Sequence, residues 1–214
     1  HQVNSPLDGR PLVAVPQSSP HDVAAAFAAA LRAQPGWAAT PASRRCAALL
    51  RFHDLLLSHQ GELADLIVAE TGKARRDAVE EVFHTAMTAR YYGLHAAALL
   101  APQRRRGVFP VLTRVQVNHP PAGVIGVISP WNSPLTMAFS DGVAALAAGN
   151  TVVAKPDAQT MLTAAAGLEL LRRAGVPEDV WRIVAGPGSR VGADVVERAD
   201  YVCFTGSTAT GRTV

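Results

Sequence analysis

Two spacings of apolar residues divide this chain. Over roughly the first hundred positions apolar side chains recur every three or four residues, as on the buried stripe of a helix. From Gly123 onward, short unbroken apolar runs alternate with helix-length segments. In the first part, residues 4–15 read as an extended lead-in turning at Asp8-Gly9, and 22–33 as an alanine-rich helix broken at Pro35-Gly36. Thr40-Pro41 predicts the next helix start, a capping side chain followed by proline at the first helical position. That helix, 43–59, carries Leu49, Leu50, Phe52, Leu56 and Leu57 mostly on one side, and Gly61 separates it from 62–70, which Thr71-Gly72 closes. Residues 73–92 then form a longer helix, with Val79, Val82, Phe83 and Met87 as its expected buried stripe.

The second part reads strand, helix, strand. Residues 123–128, 151–155, 181–185 and 201–204 are the strands, and 135–148, 160–174 and 191–197 the helices between them. Gly149-Asn150 ends the first of these helices, and Gly175 with Pro177 just beyond ends the second. Strands joined through helices of this length pair in parallel with right-handed crossovers, which predicts an α/β fold built on an open, doubly wound, Rossmann-like parallel sheet. Ligands of such sheets sit beyond the carboxyl ends of the strands. Three runs fall there: Pro130-Trp131-Asn132-Ser133-Pro134, Lys155-Pro156, and Gly206-Ser207-Thr208-Ala209-Thr210-Gly211. Between the two parts, 113–118 alternates apolar and polar residues like a half-exposed antiparallel strand, an edge that invites pairing with another chain.

Composition narrows the class without naming a function. The 214 residues are 49% hydrophobic, enough for one good core plus an appended element. No stretch of membrane-spanning length is free of charge, since the best candidate, 134–154, is interrupted by Asp141 and two glycines. The amino-terminus lacks the profile of a signal peptide, and the two cysteines suit a reducing compartment, so a cytoplasmic protein without membrane partners is expected. A net charge of +3 and an isoelectric point near 9.2 invite a nucleic-acid partner. The basic residues are interspersed with acidic ones, however, and the one dense run, Arg104-Arg105-Arg106, reads as a solvated turn between a helix and the next strand.

The ordered set Glu70-Thr71-Gly72-Lys73, Pro121 to Gly126, Pro130-Trp131-Asn132, Ala147 to Val153, Lys155-Pro156, Ala174 to Pro177 and Phe204 to Ser207 resembles the aldehyde dehydrogenase superfamily, most closely its succinate-semialdehyde dehydrogenase branch. The resemblance covers the amino-terminal part of such enzymes. It divides the chain into a helical part of the cofactor domain (1–106), a bridging β-hairpin segment used in homo-oligomer formation (107–120), and a truncated NAD(P)-binding sheet (121–214). It places the catalytic cysteine and the water-activating glutamate beyond Val214, leaving a fragment inactive on its own. The alternative is a non-catalytic nucleotide-binding or oligomerisation module that ends here.

By the same resemblance, the Asn132 side-chain amide donates to the oxyanion formed when a thiolate attacks a small aldehyde. An Asx turn before Ser133-Pro134 is the structural alternative for Asn132. Trp131 is expected either in the core or as a wall of the cofactor cleft. Lys155 reaches the adenosine ribose, with Pro156, Asp157 and Ala158 beside it. Gly188 approaches the adenine, with an ordinary turn as the alternative, and Gly206, Ser207 and Gly211 form the turn that delivers the pyrophosphate to a helix start, where Ser207 or Thr208 caps the helix or donates to phosphate. Ala158 stands where NAD-using members carry a glutamate, so NADP is expected over NAD. Cys203 and Cys46 read as small buried hydrophobes rather than nucleophiles, Glu80 and Glu81 as solvated helix residues, and His53, His59, His84 and His95 lack metal-ligand spacing.

Overall fold

The apolar runs of the second half pair into one parallel sheet in the order β7 (Trp181–Ile183), β6 (Thr151–Lys155), β5 (Val124–Ile128), β8 (Tyr201–Phe204). This is seen in a computed structural model that describes residues 1–109 and 112–214. The chain steps outward from β5 to β7, then returns to lay β8 on the free side of β5, so strand order reverses there. Alternate residues of the strands feed two cores. Ile125, Val127, Val152 and Ala154 pack with α5 (Pro134–Ala147) and α6 (Met161–Arg173), behind which lie α2 (Ala42–Ser58), α3 (Gln60–Thr71) and α4 (Arg75–Leu99). Val124, Ile128 and Val153 pack on the other face against α1 (Pro20–Ala39) and α7 (Ala193–Arg198). With helices on both faces the sheet is doubly wound, as expected.

One close approach sets the helix-to-sheet distance on the first face. The Trp181 indole stacks on Phe139 at 5.0 Å between ring centres and lies against Gly142 of α5, where an added Cβ would fall inside the ring. Glycine in a helix interior costs roughly 1 kcal/mol relative to alanine. Here it admits the largest fully buried side chain of the core.

Several expectations fail, each for a tertiary reason. The lead-in is a small hairpin of β1 (Gln2–Asn4) and β2 (Pro11–Ala14) rather than a single extended run. Helix α1 does not break at Pro35-Gly36 but continues to Ala39. Its last turn is anchored by buried Trp37, whose Nε1 donates to the Leu146 carbonyl at 3.0 Å, offsetting the amide lost at Pro35. Thr40 closes α1 instead of capping α2, and Pro41 holds the N-cap position without a side-chain bond. The buried Arg45 guanidinium accepts that arrangement by donating to carbonyls of Trp37, Ala38, Thr40 and, across the interface, Ala147. On α4, Val82 is buried and Val79 packs against the core as expected, but the rest of the inward face is Ala78, Glu81, Thr85, Ala86, Ala89, Gly93 and Ala96, mostly small residues that let α2 and α5 approach. Phe83 and Met87 point outward, 45% and 61% exposed.

The basic run is not a turn. Gln103–Arg105 forms β3, antiparallel to β4 (Val115–Val117) with Arg104 opposite Gln116, and both strands are exposed on both faces rather than half-buried. Pro110 and Val111 of the expected bridging segment lie outside the described residues. Before α7, residues Gly188–Gly192 wind as a wide turn that the expected helix 191–197 merges with. No described helix is long and apolar enough to cross a membrane.

Candidate functional site

The parallel register sets three residues side by side at the carboxyl edge of the sheet: Lys155 on β6 and Phe204 on β8 both flank Ile128 of β5. The ladder extends one residue further on each side, with Ser129 N donating to the Lys155 carbonyl and Thr205 N to that of Ile128. Beyond this edge, on the β8 side, a cavity of about 630 Å³ opens between Ile128, Phe204, Gly188, Val196 of α7 and the chain's last turn at Thr210 and Thr213. Its size is that of a small-ligand site, and it lies where strand order reverses.

Gly188 lines this cavity, and the Gly206 to Gly211 turn rims it. Ser207 Oγ caps α8 (Thr208–Gly211) by accepting from Thr210 N at 3.2 Å, the capping option for this side chain. The two glycines of the turn share one steric cause. A Cβ on Gly206 would sit 2.5 Å from the Phe204 ring and one on Gly211 3.3 Å from it, so the phenyl group serves as a floor under the turn. Lys155, Pro156, Asp157 and Ala158 stand on the other side of Ile128, one strand away from the cavity. Lys155 is only 5% exposed, and its Nζ makes no hydrogen bond among the described residues. Burial pushes its ammonium down from the ordinary lysine range, partly opposed by the charge of Asp157. The Asp157 carboxylate is itself engaged, accepting from Gln159 N at 2.9 Å and starting the turn Ala158–Thr160.

The loop after β5 projects Trp131 and Asn132 toward solvent. Trp131 is 53% exposed, which excludes core burial for it. The Asn132 side chain makes no hydrogen bond among the described residues, so the alternative of an Asx turn is not realised and the amide has no competing partner among them. Its carbonyl oxygen accepts from Lys73 Nζ at 2.8 Å, and the same ammonium meets Glu81 Oε2 at 2.5 Å. Glu81 is therefore not solvated as expected. It is 7% exposed and faces α5, because the first turn of that helix draws it inward. Glu70 behaves alike, accepting from Leu162 N, Thr163 N and Thr163 Oγ1 at the start of α6 while burial raises its carboxyl above the usual range. Cys203 is half-buried, and burial aided by Asp141 pushes its thiol up, away from the reactive thiolate.

What sequence reasoning missed is mostly apolar. Ile128 and Phe204 end their strands as core residues do, and only the register shows that they border a cavity. Val196 and Glu197 each lie four residues after another residue lining the cavity, Gly192 and Ala193, so successive turns of this segment meet it. Glu70 stands in the Glu70–Lys73 run, but nothing local shows that Glu81 and Glu70 complete helix starts 54 and 92 residues away.

A parallel sheet with its crevice at the reversal of strand order defines the doubly wound α/β class. The sequence matches the model of the aldehyde dehydrogenase family over residues 1–214, and the chain belongs to that family. It is 51% identical over 206 residues to a Mycolicibacterium smegmatis protein provisionally named succinate-semialdehyde dehydrogenase, NADP(+), covering 96% of this chain and 40% of that one. Its structure is similar to an aldehyde dehydrogenase from Brucella melitensis biovar abortus, with a TM-score of 0.95 at 32% identity over 99% of this chain and 44% of the other. A NAD-dependent benzaldehyde dehydrogenase from Corynebacterium glutamicum gives a TM-score of 0.93 at 34% identity, over 100% of this chain and 47% of the other. The chain spans about 40% of the length of the curated relatives it matches.

Proposed function

We propose that this chain is the cofactor-binding portion of a longer NAD(P)-dependent aldehyde dehydrogenase that oxidises a small aldehyde, succinate semialdehyde in our reading, to the carboxylate. The observation that carries the reading is the row Lys155, Ile128, Phe204 beside a cavity at the strand reversal, within a chain of this family. The residues fit a dinucleotide. The cavity and the turn at Gly206-Ser207 suit one end of it, and the Lys155 ammonium, without a hydrogen bond among the described residues, suits a ribose hydroxyl or phosphate. A bound nicotinamide would supply the acceptor for the hydride lost from the substrate carbon. This chain's own contribution is to hold that cofactor and, through the free amide of Asn132, to donate to the oxyanion that develops on the substrate. The thiolate nucleophile and the base come from the remainder of the longer protein.

The downstream reading frame and the intact mass test the assembly. A continuation bearing a glutamate-rich turn and then a cysteine supports the proposal, and a natural protein ending at Val214 overturns it in favour of a nucleotide-binding module. The isolated 214-residue chain is expected to oxidise no aldehyde above background, having no thiolate placed to form the covalent adduct. Turnover that disappears on alkylating Cys203 would contradict this.

Cofactor preference follows from Ala158. With no carboxylate there to repel a 2′-phosphate, and with Asp157 tied to Gln159 N, Lys155 is left as the cation for that phosphate. The full-length enzyme is expected to favour NADP, and Ala158→Glu to shift the ratio of efficiencies toward NAD. A ratio unmoved by the substitution would place the determinant elsewhere.

A further inference from the structure

Glu81 and Lys73 have no part in the chemistry outlined above, yet they hold the segment that carries Asn132. Helix α5 has no side-chain cap of its own, since Ser133, with φ −140° and ψ 72°, makes no capping bond. The first amides of a helix need acceptors, and buried ones cannot take them from water. Leu135 and Thr136 find theirs on α4, where Glu81 Oε1 accepts at 2.8 and 3.3 Å. The second oxygen of the same carboxylate accepts from Lys73 Nζ at 2.5 Å, and this ammonium donates again, at 2.8 Å, to the Asn132 carbonyl. Beside them Thr85 Oγ1 and Thr136 Oγ1 lie 3.0 Å apart, a third tie between α4 and the start of α5.

One ion pair thus grips both ends of the short stretch from Asn132 to Thr136. Its carboxylate fixes where α5 begins, and its ammonium fixes the peptide from which the Asn132 side chain extends. Displacing that peptide would displace the amide relative to the reacting carbon, and rates fall steeply with misplacement of such groups. Capping alone would not require the contact between Lys73 and the Asn132 carbonyl.

We propose that the Lys73–Glu81 pair positions Asn132, holding the oxyanion-donor loop in place from the helical layer. This rests on the reading of Asn132 given under Proposed function. The test is a double-mutant cycle in the full-length protein, with Lys73→Met, Lys73→Arg and Glu81→Gln each made in the native and the Asn132→Ala backgrounds. The readouts are the pre-steady-state rate of NAD(P)H formation, KM for aldehyde and cofactor, and Tm. Lys73→Met is expected to lower the rate about tenfold with little change in cofactor KM, and Lys73→Arg to recover part of it. In the Asn132→Ala background the same change should cost less than about twofold, because no donor remains to be misplaced.

Equal losses in both backgrounds would show a purely structural role and overturn the proposal. If Lys73→Met does not fold, Lys73→Met with Glu81→Gln removes both charges, leaves no unpaired ion buried, and is judged by the same criterion. A native protein that oxidises aldehydes while Asn132→Ala retains its full rate would instead overturn the reading of Asn132. A native full-length protein inactive on every aldehyde would overturn the proposed function itself.

Discussion

Replacing Asn132 by alanine in the full-length protein is expected to lower kcat by about 10²–10³-fold, about 3 kcal/mol of transition-state stabilisation, the usual cost of removing one oxyanion donor. The size of the effect follows from the site. The side chain makes no competing hydrogen bond among the described residues, and its peptide is held by Lys73, so the amide is oriented without being occupied. Because the interaction strengthens only as negative charge develops on oxygen, KM for the aldehyde should change much less than kcat. Asn132→Asp should be worse than alanine, since it sets a carboxylate against a forming oxyanion. Unchanged cofactor affinity and Tm would show that the loss is local. A kcat within threefold of the native enzyme would remove Asn132 from the chemistry.

Enlarging Gly142 should have the largest effect on stability. The α5 backbone at this point lies against the Trp181 ring, which is fully buried and stacked on Phe139. A side chain there must displace the indole, the helix, or both. Overpacking a closed core costs roughly 1–3 kcal/mol even when one methylene is added. Gly142→Leu adds a whole side chain against an unyielding ring, and should exceed the upper end of that range, a large part of the 5–15 kcal/mol that holds a typical domain together. The variant is expected to lose its cooperative thermal transition or to melt far below the native chain. Gly142→Ala combined with Trp181→Leu, which makes room for the new methyl group, should melt above Gly142→Ala alone. A Gly142→Leu protein with native Tm would show that the helix and the sheet can separate freely here.

The strands of the parallel sheet were largely legible in the sequence because buried strands read as unbroken apolar runs. Thr151–Lys155 and Tyr201–Phe204 have the expected bounds, and α3 stops at Thr71, ahead of Gly72, as expected. The motifs at strand ends were legible for the same reason, since topology sends them to one edge. What escaped was set by distant partners. Pro35 lies inside a helix because Trp37 is bonded to Leu146, a contact that helix propensity does not contain. Helix α4 carries two stripes at helical spacing, one small and one large, and periodicity alone does not reveal that the small one faces inward. Arg104 joins a strand only because Gln116 lies opposite it. Whether a glutamate on a helix meets water or an unfilled helix start depends on packing across more than fifty residues.

Those borrowed helix ends also bear on how the molecule comes together. The start of α5 is completed by Glu81 and its finish by Arg45 and Trp37, while the start of α6 is completed by Glu70. Both helices that cover one face of the sheet therefore depend on side chains from the first hundred residues. Until the amino-terminal helices dock, their terminal amides and carbonyls remain open to solvent and their ends fray. Helical layer and parallel sheet are therefore expected to unfold in one cooperative transition, and fragments cut between 1–106 and 121–214 are expected not to fold separately.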